Sequence, residues 1–144
     1  MGRIFKRGRH WSSNIKREGG KRSGLEVQVA SQLVVAKVEY KYETENERIP
    51  YTDPKTHTYL PDFRLANGIY VECKGWFKAE DRKKHLLIKY QHPELDIRFI
   101  FSNPNSRLSK KSKTTYADWC VKNGFKFAKG IIPTEWLNAK TTHA

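Results

Sequence analysis

Pro61-Asp62 and Glu72-Cys73-Lys74 together spell a PD-(x)n-E-x-K pattern, two carboxylates and an ammonium within one short stretch. Two hard anionic oxygens side by side suit Mg²⁺, an ion that polarises a phosphate and acidifies a bound water. A lysine beside them can orient the attacking water or steady the charge that develops on phosphorus. Successive strand side chains alternate between faces, so Glu72 and Lys74 share one face and Cys73 takes the other. Glu26 can add a further carboxylate if its helix packs over that face. Ser23-Gly24-Leu25-Glu26 also fits a capping box, which explains Glu26 without chemistry. A salt-bridge cluster on a solvated strand is the competing reading of Asp62, Glu72 and Lys74.

The elements decide whether these groups meet. Tyr59–Ala66 and Ile69–Lys74 flank Asn67-Gly68, a hairpin signal. A two-residue turn would set Phe63 opposite Glu72 and leave Phe63 and Leu65 on the polar face. A three-residue loop centred on Asn67 sets Asp62 opposite Glu72. Phe63, Leu65, Ile69, Val71 and Cys73 then line one apolar face, and Gly68 takes the left-handed position of a G1 bulge. Binary patterning selects the second register. Around it, the spacing of Leu25, Val29 and Leu33 predicts a helix over 24–37, and alternation predicts a strand over 38–43. Residues 44–56, polar with Pro50 and Pro54, read as a bridge. A helix over 79–91 stops before Pro93, a buried strand spans 96–102, and residues 103–113 form a basic loop. Thr115 caps a helix over 116–123 that ends at Gly124. A short strand over 125–128 and a short helix after Pro133 complete an α/β (α+β) domain with a mixed sheet.

The chain has 144 residues, room for one domain. It carries 28 Lys and Arg against 15 Asp and Glu, a formal charge of +13. Such a charge points to phosphate polymers or anionic membranes. No apolar run approaches the roughly 20 residues that cross a bilayer, and no apolar segment follows the basic N-terminus as in a signal peptide. Two cysteines make no disulfide framework, so a reducing cytoplasm and no structural zinc are expected. Residues 1–22 read as a flexible basic arm, and 23–144 as the domain proper. Phosphate contacts are expected from Arg3, Lys6, Arg7, Arg9, Lys16, Arg17, Lys21 and Arg22 in the arm. Further contacts are expected from Arg82, Lys83 and Lys84 at a helix start, and from Arg107, Lys110 and Lys111 in the loop. Trp119, Trp136, Cys73 and Cys120 read as core. His57 reads as structural, and Trp76 reads as exposed and able to stack on DNA.

Beyond these local readings, a longer run resembles the phage endonuclease I family, the Holliday-junction resolvases of T-seven-type phages. The resemblance is carried by Ser23–Glu26, His57–Phe63, Asn67–Gly75, Asp81–Ile88, Gln91–Arg98 and Ile132–Trp136. It implies a restriction-endonuclease-like PD-(D/E)xK nuclease core in a domain-swapped homodimer. It also implies Mg²⁺-dependent hydrolysis of branched double-stranded DNA, leaving 5′-phosphate and 3′-hydroxyl ends. Carried over residue by residue, the catalytic set is Glu26, Asp62, Glu72 and Lys74, with Glu26 from one protomer and the other three from its partner. The metal ligands are Asp62, Glu72 and Glu26, holding Mg²⁺ at two ions per site, with Mn²⁺ able to substitute. The 44–56 segment corresponds to the bridge between halves, and the setting is the host cytoplasm. The rivals are another nuclease of that superfamily, acting in repair or restriction, and a non-catalytic basic DNA- or RNA-binding protein.

Overall fold

The computed structural model describes residues 4–5, 24–43 and 47–140. The arm residues from Lys6 to Arg22, together with Arg3, Ser23 and the 44–46 stretch of the bridge, lie outside them.

The chain runs β1 (Ile4–Phe5), α1 (Gly24–Val35), β2 (Tyr40–Tyr42), β3 (Ile49–Thr52), β4 (Thr56–Tyr59), β5 (Phe63–Leu65) and β6 (Tyr70–Lys74). It continues through α2 (Ala79–Gln91), β7 (Ile97–Phe101), α3 (Tyr116–Asn123), β8 (Phe127–Lys129) and α4 (Thr134–Leu137). Six strands form one mixed sheet in the order β1-β2-β5-β6-β7-β8. The first three pairings are antiparallel, while β6–β7 and β7–β8 are parallel. The architecture is the mixed α+β one expected. Strand β6 is where the antiparallel and parallel halves join.

The hairpin register is the one binary patterning selected. Phe63 pairs with Val71 and Arg64 with Tyr70, and Gly68 sits at φ 91°. One sheet face packs Phe63, Leu65, Val71, Cys73 and Ile100 against Leu25, Val29 and Leu33 of α1 and Trp136 of α4. Burying a Leu or Val stabilises by about 1.5–3 kcal/mol, so this stripe is what holds α1 in place. Its Gln28 and Gln32 amides add hydrogen bonds of 2.7 Å to the backbone at Gly130 and Ile132.

The opposite face is not solvated. Phe99 and Phe101 of β7 pack with Phe77, Tyr116, Trp119 and Phe125. Tyr70 and Ile97 pack with Ile88 of α2 and with Ile49 and Tyr59. The salt-bridge reading of the strand as a solvated face is therefore corrected: Glu72 is only 4% exposed.

Three further expectations change. The first helix stops at Val35, because Lys37 turns left-handed at φ 58° and the Val38 N–H closes on the Leu33 carbonyl. The 44–56 segment, read as polar linker or bridge, is not irregular throughout. Ile49–Thr52 pairs with Thr56–Tyr59 as a two-stranded ribbon whose Ile49 and Tyr59 are buried. The Tyr59–Ala66 strand is broken at Leu60-Pro61-Asp62, where the chain leaves the ribbon for the main sheet. Proline cannot donate to a ladder, which accounts for the break.

Candidate active site

Asp62 follows the buried Pro61 in the link between β4 and β5. Its Oδ2 accepts the Cys73 N–H at 2.9 Å, and its own N–H donates to Glu72 Oε1 at 3.3 Å. That oxygen also accepts the Tyr59 hydroxyl at 2.9 Å. With Oε1 held twice, Oε2 of Glu72 faces Lys74 Nζ at 3.7 Å. The lysine is held from its other side by Asp81 Oδ1 at 3.4 Å, and Asp81 accepts the Lys78 N–H at the start of α2. Behind Glu72 lies His85, fully buried, with Nε2 4.0 Å from Glu72 Oε2. Its ring stands edge-on to Tyr59 and Phe99.

Helix α1 brings the fourth expected residue. Glu26 is buried, and its Oε1 accepts the Tyr42 hydroxyl at 3.0 Å. Glu26, Glu43 and Asp62 each offer a carboxylate oxygen, and these oxygens lie within 4.8 Å of one another. Glu26, Asp62, Glu72 and Lys74 thus come together from three places in the chain: α1, the link between β4 and β5, and β6.

Glu43, Tyr59, Asp81 and His85 were absent from the sequence-derived set. Glu43 is brought in by the β2–β5 ladder. Tyr42 pairs with Phe63, so the next step of that ladder sets Glu43 against Asp62, and the Glu43 N–H donates to the Asp62 carbonyl at 3.2 Å.

The electrostatics follow from crowding acids away from water. Burial, then the Glu72 and Glu26 charges, push the Asp62 carboxyl well above the usual carboxylate range, against the opposing Cys73 N–H and Lys74. Burial also raises Glu72, against the pull of Lys74 and Lys84. Burial works against the Lys74 ammonium, but Glu72, Asp81 and Asp62 outweigh it, so its pKa rises and the group stays charged. Burial, with Lys84 and Lys74 nearby, holds His85 well below its ordinary value, hence neutral. Carboxylates that repel one another in a dry site are the donor set a hard divalent cation takes. Asp62 with Glu72, and Asp62 with Glu26 and Glu43, are the groups that could hold one.

The expected phosphate contacts divide. The eight arm residues lie outside the described residues. Arg82 turns back to donate to the Phe77 carbonyl at 2.7 Å. Lys83 is exposed, and Lys84 Nζ lies 5.3 Å from the centre of the Tyr59 ring. Arg107, Lys110 and Lys111 are exposed in the segment after β7. That segment leaves the same end of the sheet as Lys74, since Lys74 pairs with Phe101 at the ends of two parallel strands. His57 binds Asp53 at 2.6 Å and stacks on Tyr51. Trp119, Trp136, Cys73 and Cys120 are buried, as expected of core.

The family model for phage endonuclease I matches residues 8–144. The chain is 49% identical over 127 residues to "Endonuclease I" of Escherichia phage T7, covering 88% of this chain and 84% of that protein. It is 52% identical over 113 residues to "Endodeoxyribonuclease 1" of Enterobacteria phage T3, covering 78% of this chain and 73% of that protein.

Proposed function

Because this chain belongs to the phage endonuclease I family, we propose that it is an endodeoxyribonuclease that resolves four-way and other branched DNA junctions by paired phosphodiester hydrolysis with Mg²⁺. The observation that carries the chemistry is the convergence of Asp62, Glu72, Glu26 and Lys74 in one buried, mutually repelling cluster. Asp62, Glu72 and Glu26, with Glu43 beside them, would hold the ions, two per site, with Mn²⁺ able to replace Mg²⁺. Bound there, a divalent ion supplies neutralisation of the carboxylates and polarisation of a phosphate oxygen.

The protein's own groups do the rest. Tyr59 and the Asp62 N–H fix one oxygen of Glu72, which leaves the other to face Lys74. The Lys74 ammonium, kept charged by its three acidic neighbours, stabilises negative charge building on the phosphate or orients the attacking water. Asp81 holds that lysine in place without entering the chemistry. Water adds to phosphorus and the P–O3′ bond breaks, leaving a 5′-phosphate and a 3′-hydroxyl.

A junction has two strands to cut, which calls for two such sites related by a two-fold axis, and a homodimer supplies them. Swapping exchanges identical elements between protomers. The Glu26–Tyr42 and Glu26–Asp62 proximities would therefore survive it, with the crossover in the 44–56 bridge between β2 and β5. Basic side chains grip phosphates, so recognition follows DNA shape and deformability rather than base sequence.

The test is cleavage of a four-way junction and its matched linear duplex, with Mg²⁺ and with EDTA, by wild type and Asp62→Ala. The expected result is paired nicks in the junction by wild type with Mg²⁺ alone, and a loss of roughly 10²–10³-fold or more in the variant. Equal cutting of both substrates would favour a repair or restriction role, and binding without any cutting would favour a basic DNA-binding protein.

A further inference from the structure

Trp76 sits two residues beyond Lys74 and is 71% exposed. An indole left in water forgoes one of the largest burial gains any side chain offers. Its surroundings are nonetheless rigid. Phe77, the next residue, is fully buried, with its ring against Phe99, Phe101, Tyr116 and Trp119, and its N–H donates to the Tyr116 hydroxyl at 3.2 Å. Lys78 Nζ lies 4.5 Å from the centre of the Trp76 ring. The indole is therefore mounted on a fixed support, with a cation against it and most of its surface open. It follows the end of the sheet where β6 finishes in Lys74 and β7 runs into the basic segment carrying Arg107, Lys110 and Lys111.

We propose that Trp76 is a stacking platform for a nucleobase that has lost a stacking neighbour at a DNA branch, and so a specificity-determining residue. The inference rests on the nuclease reading above and adds what that reading lacks, a group able to distinguish branched from continuous DNA without reading sequence. In an unbroken duplex each base already stacks on its neighbours, so the indole gains nothing there. At a branch a base face is free, and stacking it on an aromatic ring is worth enough to shift affinity roughly tenfold or more while tolerating any base. Anchoring of the backbone by Phe77 and the contact with Lys78 lower the cost of fixing the side chain on binding.

The experiment measures dissociation constants for a four-way junction and its matched duplex, in Ca²⁺ so that neither is cut, for wild type, Trp76→Ala and Trp76→Phe. The expected result is a junction affinity roughly tenfold or more weaker in Trp76→Ala, a duplex affinity unchanged, and most of the junction affinity kept in Trp76→Phe. A base analogue such as 2-aminopurine at the branch should lose its indole-dependent quenching in Trp76→Ala alone. If wild type prefers the junction and Trp76→Ala keeps the full preference, the platform is wrong and the nuclease reading stands. If wild type shows no preference, the junction reading fails and the platform falls with it. A shift in oligomeric state of Trp76→Ala, with the junction-to-duplex ratio unchanged, would make the residue a subunit contact and overturn the proposal.

Discussion

Asp62 is the residue on which the site's energetics concentrate. A carboxyl whose folded pKa is raised binds its proton more tightly in the folded state than in the unfolded one. Stability therefore falls as pH rises from the ordinary carboxylate range through the folded pKa, and below that range the penalty is absent. Asp62→Asn, which can still accept the Cys73 N–H, should stabilise the protein at pH 8 by about 0.5–2 kcal/mol, or roughly 1–8 °C in Tm. The gain should vanish below about pH 4, the unfolded-state value. Thermal melts of the two proteins across that range check this, and a Tm difference that does not depend on pH would remove the charge explanation. Divalent cation added at pH 8 should narrow the gap, by stabilising the wild type preferentially. At this scale the sequence was informative where contacts are local. Asp62 stands opposite Glu72 because a period of two and one glycine decide a hairpin register. Glu43, Tyr59 and His85 join the site only through the β2–β5 ladder and the docking of the ribbon and α2, long-range pairings that no local pattern encodes.

Among the elements, α2 and α3 match their expected spans because their end signals are local. Asp81 accepts the Lys78 N–H, Thr115 and Asp118 exchange hydrogen bonds of 3.0 Å, and Gly124 is left-handed at φ 75°. The β3–β4 ribbon was harder to see. Its prolines and polar residues resemble linker, and a two-stranded ribbon is all edge, so proline is tolerated with its side facing out. Pro50 is exposed there, opposite Thr58. What keeps the ribbon in place is α2. Gln91 accepts the Thr52 N–H at 2.9 Å and donates to the Thr52 carbonyl at 2.8 Å. The adjacent His92 ring meets the Pro50 carbonyl at 2.6 Å. Gln91→Ala removes two hydrogen bonds worth about 0.5–1.5 kcal/mol each. Amide exchange in the ribbon should accelerate roughly 5- to 150-fold by that arithmetic, with β6 amides unaffected. Uniform acceleration across the sheet would mean that ribbon and sheet open as one unit. Cleavage should weaken too, since Tyr59, at the end of β4, holds Glu72.

The molecule as a whole is a +13 chain folded around an acidic centre. Composition made the basic exterior plain, and with it the phosphate partner. It could not reveal that Arg82 is tied back to its own backbone while Lys110 and Lys111 stand free to solvent. DNA affinity should fall steeply with salt, on a log–log line, and Lys110→Glu combined with Lys111→Glu should reduce the slope by about 2 if each neutralises one phosphate. An unchanged slope would place the grip elsewhere on the surface.

The position of β6, antiparallel to one neighbour and parallel to the other, also bears on the order in which the site is built. Its pairing with β5 closes over a tight turn, an event of roughly 1–10 μs in isolated hairpins. Its pairing with β7 must await a crossover that contains all of α2. The two acids can therefore meet while still wet, and their dehydration belongs to the later docking of α2 and the ribbon. A penalty that arises late in folding is felt as haste in unfolding. Asp62→Asn should thus slow unfolding, roughly fivefold for each kcal/mol gained, and leave the folding rate nearly unchanged. In kinetic terms, the acids we propose for cutting DNA also shorten the lifetime of the protein's folded state.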